Sequence, residues 1–216
     1  MPKPTDIRPV AASLYFLPVE MRIPLKFGPE TTTRVTCARA RLTVESADGR
    51  RADGWGETPL SVQWVWPSEA SYDERHEALK AFCVRLAGAW AEFEQSGHAM
   101  EVGCAFLNER LPNLLTTFNA SRAGESMPYL AALVCCSVFD IALHDAFGAM
   151  VGRPTYETYN AELMNADLAA WLAGDAGVSF AGRCPADFLL ADRPDRLPAW
   201  HLVGGKDVVD PSQLTG

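Results

Sequence analysis

The stretch from Ser126 to Pro154 constrains the fold more than any other part of the chain. Between Tyr129 and Leu143 almost every residue is apolar or small, and only Asp140, His144 and Asp145 interrupt the segment's greasy character. Ser126 is placed to cap a helix and Pro128 to sit in its first turn, where no backbone donor is lost, while Gly152 and Pro154 supply a stop. A helix apolar on most sides is a core helix. At about 16 weakly polar residues the run is short for a bilayer span, so the segment predicts the centre of a soluble domain.

The rest of the composition agrees. The chain has 216 residues, 48% hydrophobic and 21% charged, enough for a sizeable core. A net charge of -8 argues against nucleic acid or an anionic membrane as the main partner, since either asks for a clustered basic face. The six cysteines, at 37, 83, 104, 135, 136 and 184, follow an N-terminus with no apolar signal core. They read as reduced core residues of a cytoplasmic protein.

Residues 1–9 read as a frayed terminus and 10–173 as one domain. Alternation marks a strand over Val10–Val19, and the prolines and glycine of Glu20–Thr33 mark a long loop. A second strand spans Arg34–Glu45. Asp48-Gly49 turns the chain into a third, Arg51–Glu57, ending in Gly54-Trp55-Gly56-Glu57. The economical arrangement is a three-stranded antiparallel meander. After it, Trp64 and Trp66 are expected to be exposed in a proline-bounded loop, as either a packing lid or a ligand wall.

Ser71 and Glu74 form a capping box for a helix whose inner face holds Leu79, Phe82, Cys83, Leu86, Trp90 and Phe93. Further helices are expected over Met100–Arg110, on to Phe118, and over Tyr156–Leu172. Residues 174–196 read as a linker or insertion, and Leu197–Val203 as a short buried strand. The fold class expected is α+β, the meander packed on a helical bundle.

The Ile23-Pro24-Leu25-Lys26-Phe27-Gly28 loop, the Gly54-Trp55-Gly56-Glu57 hairpin end and above all the run from Ala131 to Pro154 resemble the N-terminal capping domain of the enolase superfamily, in its mandelate racemase and muconate lactonizing enzyme branch. The central helix carries the most specific match, an Ala-rich run followed by Asp-Ile-Ala-Leu, an acidic residue, a Gly and a closing Gly-x-Pro. The resemblance makes residues 197–216 the first strand and remainder of an incomplete (β/α) barrel. It implies a parent enzyme, an acid-sugar dehydratase or a racemase, that uses Mg2+ to stabilise the enediolate formed when a base removes the proton beside a carboxylate. Its partners would be a small carboxylate or acid-sugar substrate and the remainder of the barrel or another subunit, with a homo-oligomeric assembly.

The resemblance also assigns substrate-capping roles to Arg22, Lys26 and Phe27 in the first loop and to Leu60, Trp64 and Trp66 in the second. It assigns no catalytic residue and no metal ligand here. The lysines are Lys3, Lys26, Lys80 and Lys206, so the family's Lys-x-Lys base is missing. About 60 residues follow Pro154 where a closed barrel needs about 250. The expectation is a cap plus the opening of a barrel: a fragment, a truncated product or half of a split protein. The competing expectation is a non-catalytic binding or assembly module that uses Trp64 and Trp66.

Other candidates have plainer readings. Glu57 orders the loop, Asp140 and His144 form a helix-stabilising pair four residues apart, and His76 and His98 sit on the surface. His201 is a buried, hydrogen-bonded histidine of the last strand, and Gly204-Gly205 a turn.

Overall fold

In the computed structural model, residues 2–27, 30–175, 177–190, 192, 194–200, 208 and 210–213 are described. Three strands, β1 (Ile7–Phe27), β2 (Glu30–Ser46) and β3 (Arg51–Pro59), form an antiparallel meander in the order β1-β2-β3. A helical turn, α1 (Val62–Val65), leads to α2 (Tyr72–Ala91). Next come α3 (Ala99–Ala105), a π-helical turn over Phe106–Arg110, α4 (Leu111–Ala120) and the long α5 (Tyr129–Val151). The expected α+β meander on a helical bundle is the observed fold.

Pairing register explains which side of the sheet becomes core. On β2 the even positions Ala38, Ala40, Leu42 and Val44 are fully buried, as one face of a pleated strand must be. Opposite them on β3 lie Thr58, Gly56, Gly54 and Ala52. The two glycines are structural necessities. A Cβ on Gly54 would land on the backbone of Ala142 and Ala146, and one on Gly56 on the carbonyl of Val138. Small residues on β3 and on α5 therefore let the helix lie directly on strand backbone. Asp145 completes the seam by accepting the Trp55 amide at 2.8 Å, and Thr58 and Ser137 hydroxyls meet at 2.7 Å.

On its other sides α5 buries Cys135, Cys136, Phe139, Leu143 and Phe147 against the bundle, where Trp90 stacks on Phe106 at 3.9 Å. It is long and apolar enough to cross a membrane, yet it serves as the core helix here. All six cysteines are free. Burial pushes the Cys136 thiol up to about 12, as suits an inert core side chain.

Several boundaries differ from expectation for identifiable reasons. Helix α5 starts at Tyr129, with Pro128 at its N-cap, and Ser126 lies exposed outside it. The Asn119 side chain brackets the Met127 backbone, accepting its amide at 2.8 Å and donating to its carbonyl at 3.0 Å, which holds that residue in a non-helical conformation. Only half of the capping box expected at Ser71 forms: its hydroxyl accepts from the Glu74 amide at 3.2 Å, while the Glu74 carboxylate pairs with Arg122 at 3.6 Å. The terminus expected to fray is tied down: Ile7 bridges Gly97, and the Lys3 ammonium donates to the carbonyls of Ala161, Glu162 and Met164 at 2.5–2.9 Å.

The helix expected over Tyr156–Leu172 does not form; the chain makes short 3-10 turns at Thr155–Glu157 and Leu168–Ala170. Side chains take the amides that a helix would use. Asn160 accepts from Glu162 and Leu163, Asp167 from Ala169, and Glu101 from Asn165 and Ala166. The segment expected as a linker folds back on this region, with Leu168 donating to the Arg183 carbonyl and Ala186 to that of Tyr159.

The strand expected at Leu197–Val203 lies partly outside the described residues, as do His201, Gly204 and Gly205. Leu197–Trp200 makes no strand pairing, and Trp200 is 96% exposed. A parallel strand depends on neighbours for its hydrogen bonds, and no described segment lies alongside it.

The β3–α5 seam sets an expected outcome. Gly56→Ala should lower unfolding free energy by about 3 kcal/mol or more, because its methyl meets backbone that cannot step aside. Gly88→Ala, in α2 with open space around it, should raise stability by up to about 1 kcal/mol. Urea denaturation of the two variants measures both; equal effects would refute the seam's role.

Candidate functional site

One end of the sheet gathers most of the expected site residues. Past Pro18 and Thr36, β1 and β2 leave the core and continue as a two-stranded ribbon, paired at Val19/Val35 and Glu20/Arg34 and again at Leu25/Thr32, Lys26/Thr31 and Phe27/Glu30. This replaces the long loop expected over Glu20–Thr33. Pro24 argued for a loop, but it falls in the slip between Glu20 and Leu25 where β1 has no ladder partner, so its missing amide costs nothing. The β-branched run Thr31–Thr33 was the strand signal available in the sequence. The ribbon's length is set by the shorter strand, four residues from Arg34 to Glu30, so it reaches about 13 Å beyond the Glu20/Arg34 pair at strand rise.

Arg22 and Lys26 are exposed on this ribbon, together with the apolar side chains of Val19, Ile23 and Leu25. Phe27 pairs through its backbone with Glu30, and its side chain lies outside what the structure describes. The second expected segment begins at the ribbon's root, where the Leu60 amide donates to the Thr36 carbonyl at 2.8 Å. Both segments therefore leave the same end of the sheet.

Within the second segment the three candidates part company. Leu60 is fully buried in the core. Trp66 is buried as well: its indole Nε1 donates to Glu125 at 3.3 Å, its carbonyl accepts from Arg75 at 2.5 Å, and the Arg122 guanidinium lies 5.4 Å from its ring centre. Trp64, on the solvent side of α1, is 52% exposed. The proline-bounded stretch thus supplies one exposed tryptophan and buries the other as an anchor. Glu57 binds Arg39 across the sheet at 2.5 Å.

A second cluster, less visible in the sequence, lies between α3, α5 and the segment after α5. Asp140 and His144 do share a face of α5, with Oδ2 and Nε2 4.0 Å apart. Burial drives Asp140 up and His144 down, each towards its neutral form, against the attraction of the pair. Tyr159 reaches His144 Nδ1 at 3.0 Å. Burial pushes Tyr159 up to about 12, so the phenol keeps its proton. Asp140 fits beside α3 because residue 103 is glycine; a Cβ there would strike its carboxylate.

His98, expected on the surface, is fully buried in this cluster, packed on Phe147 with ring centres 4.3 Å apart. Its Nδ1 accepts from the Met100 amide at 3.1 Å, and Glu101 accepts from the His98 amide at 3.0 Å, a capping box for α3. The pattern His-x-x-Glu carries that geometry, but histidine is an uncommon N-cap and the signal was weak.

Among the described residues no three His, Cys, Asp or Glu side chains gather as a metal site, so the residues described do not fit a magnesium centre. What the ribbon and Trp64 offer is a set of cations and apolar side chains projecting from one end of the fold.

No family model and no curated protein matches the sequence. Solved structures do. A dipeptide epimerase from Enterococcus faecalis V583, complexed with Mg and L-Leu-L-Tyr, matches 71% of this chain and 35% of its own at 10% identity and a TM-score of 0.41. An L-talarate dehydratase from Polaromonas sp. JS666, complexed with Mg and L-glucarate, matches 70% and 34% at 11% identity and a TM-score of 0.40. A mandelate racemase/muconate lactonizing enzyme-like protein from Rubrobacter xylanophilus matches 70% and 33% at 16% identity and a TM-score of 0.36. The chain spans about a third of their length.

Acid should act on this region through His98. Burial, helped by His144, lowers its pKa from 6.5 to about 4, so the fold holds fewer protons than the unfolded chain between those values. The stability of neutral His98 is complete above about pH 6.5 and is lost as pH falls through about 4, by up to about 3 kcal/mol. Protonation also turns the capping Nδ1 from acceptor to donor. Asp140 works in the opposite sense, since its raised pKa favours proton uptake by the fold. His98→Asn keeps a capping acceptor without the titration, so its unfolding free energy should fall less steeply from pH 7 to 4 than the wild type's. Parallel profiles in urea melts would contradict this origin.

Proposed function

We propose that this chain is the substrate-capping part of a magnesium-dependent enzyme of the enolase superfamily, of acid-sugar dehydratase or racemase type, that removes a proton next to a carboxylate. The observation that carries the reading is the ribbon. It projects with exposed Arg22 and Lys26 and with half-exposed Val19, Ile23 and Leu25, and a two-stranded ribbon with apolar side chains gains stability only against another surface.

In this reading the surface is the mouth of a barrel outside the described residues, which also supplies the base and the metal ligands. The chain's own residues bind, orient and exclude water. Arg22 offers a planar fork to a substrate carboxylate, Lys26 a point charge to a carboxylate or hydroxyl, and Trp64 an apolar wall. Leu60 and Trp66, both buried, anchor the two ends of the segment that carries Trp64. Closing such a lid removes water from around the reacting carbon, which strengthens every charge interaction beneath it. The enzyme works in the cytoplasm as a homo-oligomer.

The test is magnesium-dependent exchange of the substrate α-proton for deuterium, followed by NMR over a panel of acid sugars, hydroxy acids and dipeptides. It uses this chain extended by whatever its reading frame encodes beyond Gly216. The expected result is exchange with at least one carboxylate, with Arg22→Ala or Lys26→Ala raising KM about tenfold or more while kcat changes less. No exchange with any of the panel, or kinetics untouched by these substitutions, overturns the reading.

A further inference from the structure

The outer face of the sheet carries odd-numbered residues that the core leaves unused. Tyr15 on β1 and Trp55 on β3 stack across it with ring centres 6.2 Å apart and planes 26° apart, and they are 46% and 48% exposed. Beside them a hollow of about 500 Å3 opens between Arg39, Trp55, Gly56, Glu57 and Ile141, the last 46% exposed at the border with α5. An aromatic pair beside an apolar hollow marks a surface built to meet another.

Charge identifies the partner. The central strand presents Arg39 and Arg41 on this face, and the edge strand presents Asp53 and Glu57, joined within the chain by Arg39–Glu57 at 2.5 Å and Arg41–Asp53 at 3.8 Å. These four charges cancel on a chain whose net charge is -8, so two copies can approach here without the repulsion that the whole molecule imposes. Arg39 is directly opposite Glu57 in the pairing register. A two-fold axis parallel to the strands and between β2 and β3 therefore lays the basic row of one copy on the acidic row of the other, with no shift along the strands. That is the self-complementarity an isologous contact requires.

We infer that this face is a self-association surface whose partner is a second copy of the same chain, docked face to face over Tyr15 and Trp55. Edge-to-edge pairing through β3 is disfavoured, because Asp145 already takes the Trp55 amide on the free edge. The inference deepens only the homo-oligomer part of the proposed function. Its readout is mass, so it stands or falls separately from proton exchange.

Sedimentation equilibrium of this chain over a wide concentration range tests it, with circular dichroism confirming the fold of each variant. The expected species has twice the 23.6 kDa chain mass. Arg39→Glu and Glu57→Arg should each weaken association about tenfold or more, and the double variant should restore it, because swapping both signs recreates the cross-copy pairs. Trp55→Ser should abolish the dimer. A wild type that stays monomeric, single variants that associate like the wild type, or a folded double variant that fails to recover would each overturn the inference.

Discussion

The close approach of α5 to β3 is the contact on which the rest of the structure depends. Backbone lies against backbone because Gly54 and Gly56 present no side chains and α5 answers with Val138, Ala142 and Ala146. A helix held this near a strand uses the strand's inner face completely, so the sheet has one core face and one free face. It also places Asp145 and Ile141 along the strand's free edge, where the first blocks pairing and the second borders the outer hollow. The seam, the edge protection and the outer surface follow from the same pair of glycines.

Away from that seam the fold is held by polar staples. Glu101 gathers the amides of His98, Asn165 and Ala166 and the side-chain amide of Asn165, which in turn donates to Asp6. Lys3 closes the same region from the N-terminus. These bonds join residues separated by up to 161 positions and fix the chain's course after α5 where no regular helix does so. Charge-assisted bonds to several donors at once suit this task, since each carboxylate oxygen satisfies amides that would otherwise be left without partners.

The ribbon and the α1 turn stand apart from the packing that stabilises the domain. Both are rooted at Thr36, whose carbonyl receives Leu60 and whose hydroxyl meets His76 Nε2 at 2.9 Å. Beyond that root the ribbon contributes little to the core, and Arg22, Lys26 and the half-exposed aliphatics lie at its surface. Trp66 and Leu60, one turn away, are committed to packing.

The sequence by itself determined the elements whose signals are local. The apolar run of α5, the Ser71 cap, the Asp48-Gly49 turn and the alternation of β2 each specify their structure through nearest-neighbour chemistry, and the observed meander and bundle follow. Of the candidate residues the sequence singled out, the fold leaves Arg22, Lys26 and Trp64 exposed and buries Leu60 and Trp66. Tertiary structure decided what depends on distant partners. Only the far strand could show that Glu20–Thr33 is a ribbon, only Glu101 could withdraw amides from a helix after Tyr156, and only the packing of α3 on α5 could bury His98. Local propensity fixes an element when its own hydrogen bonds suffice; where side chains remote in sequence take those bonds, the folded whole decides.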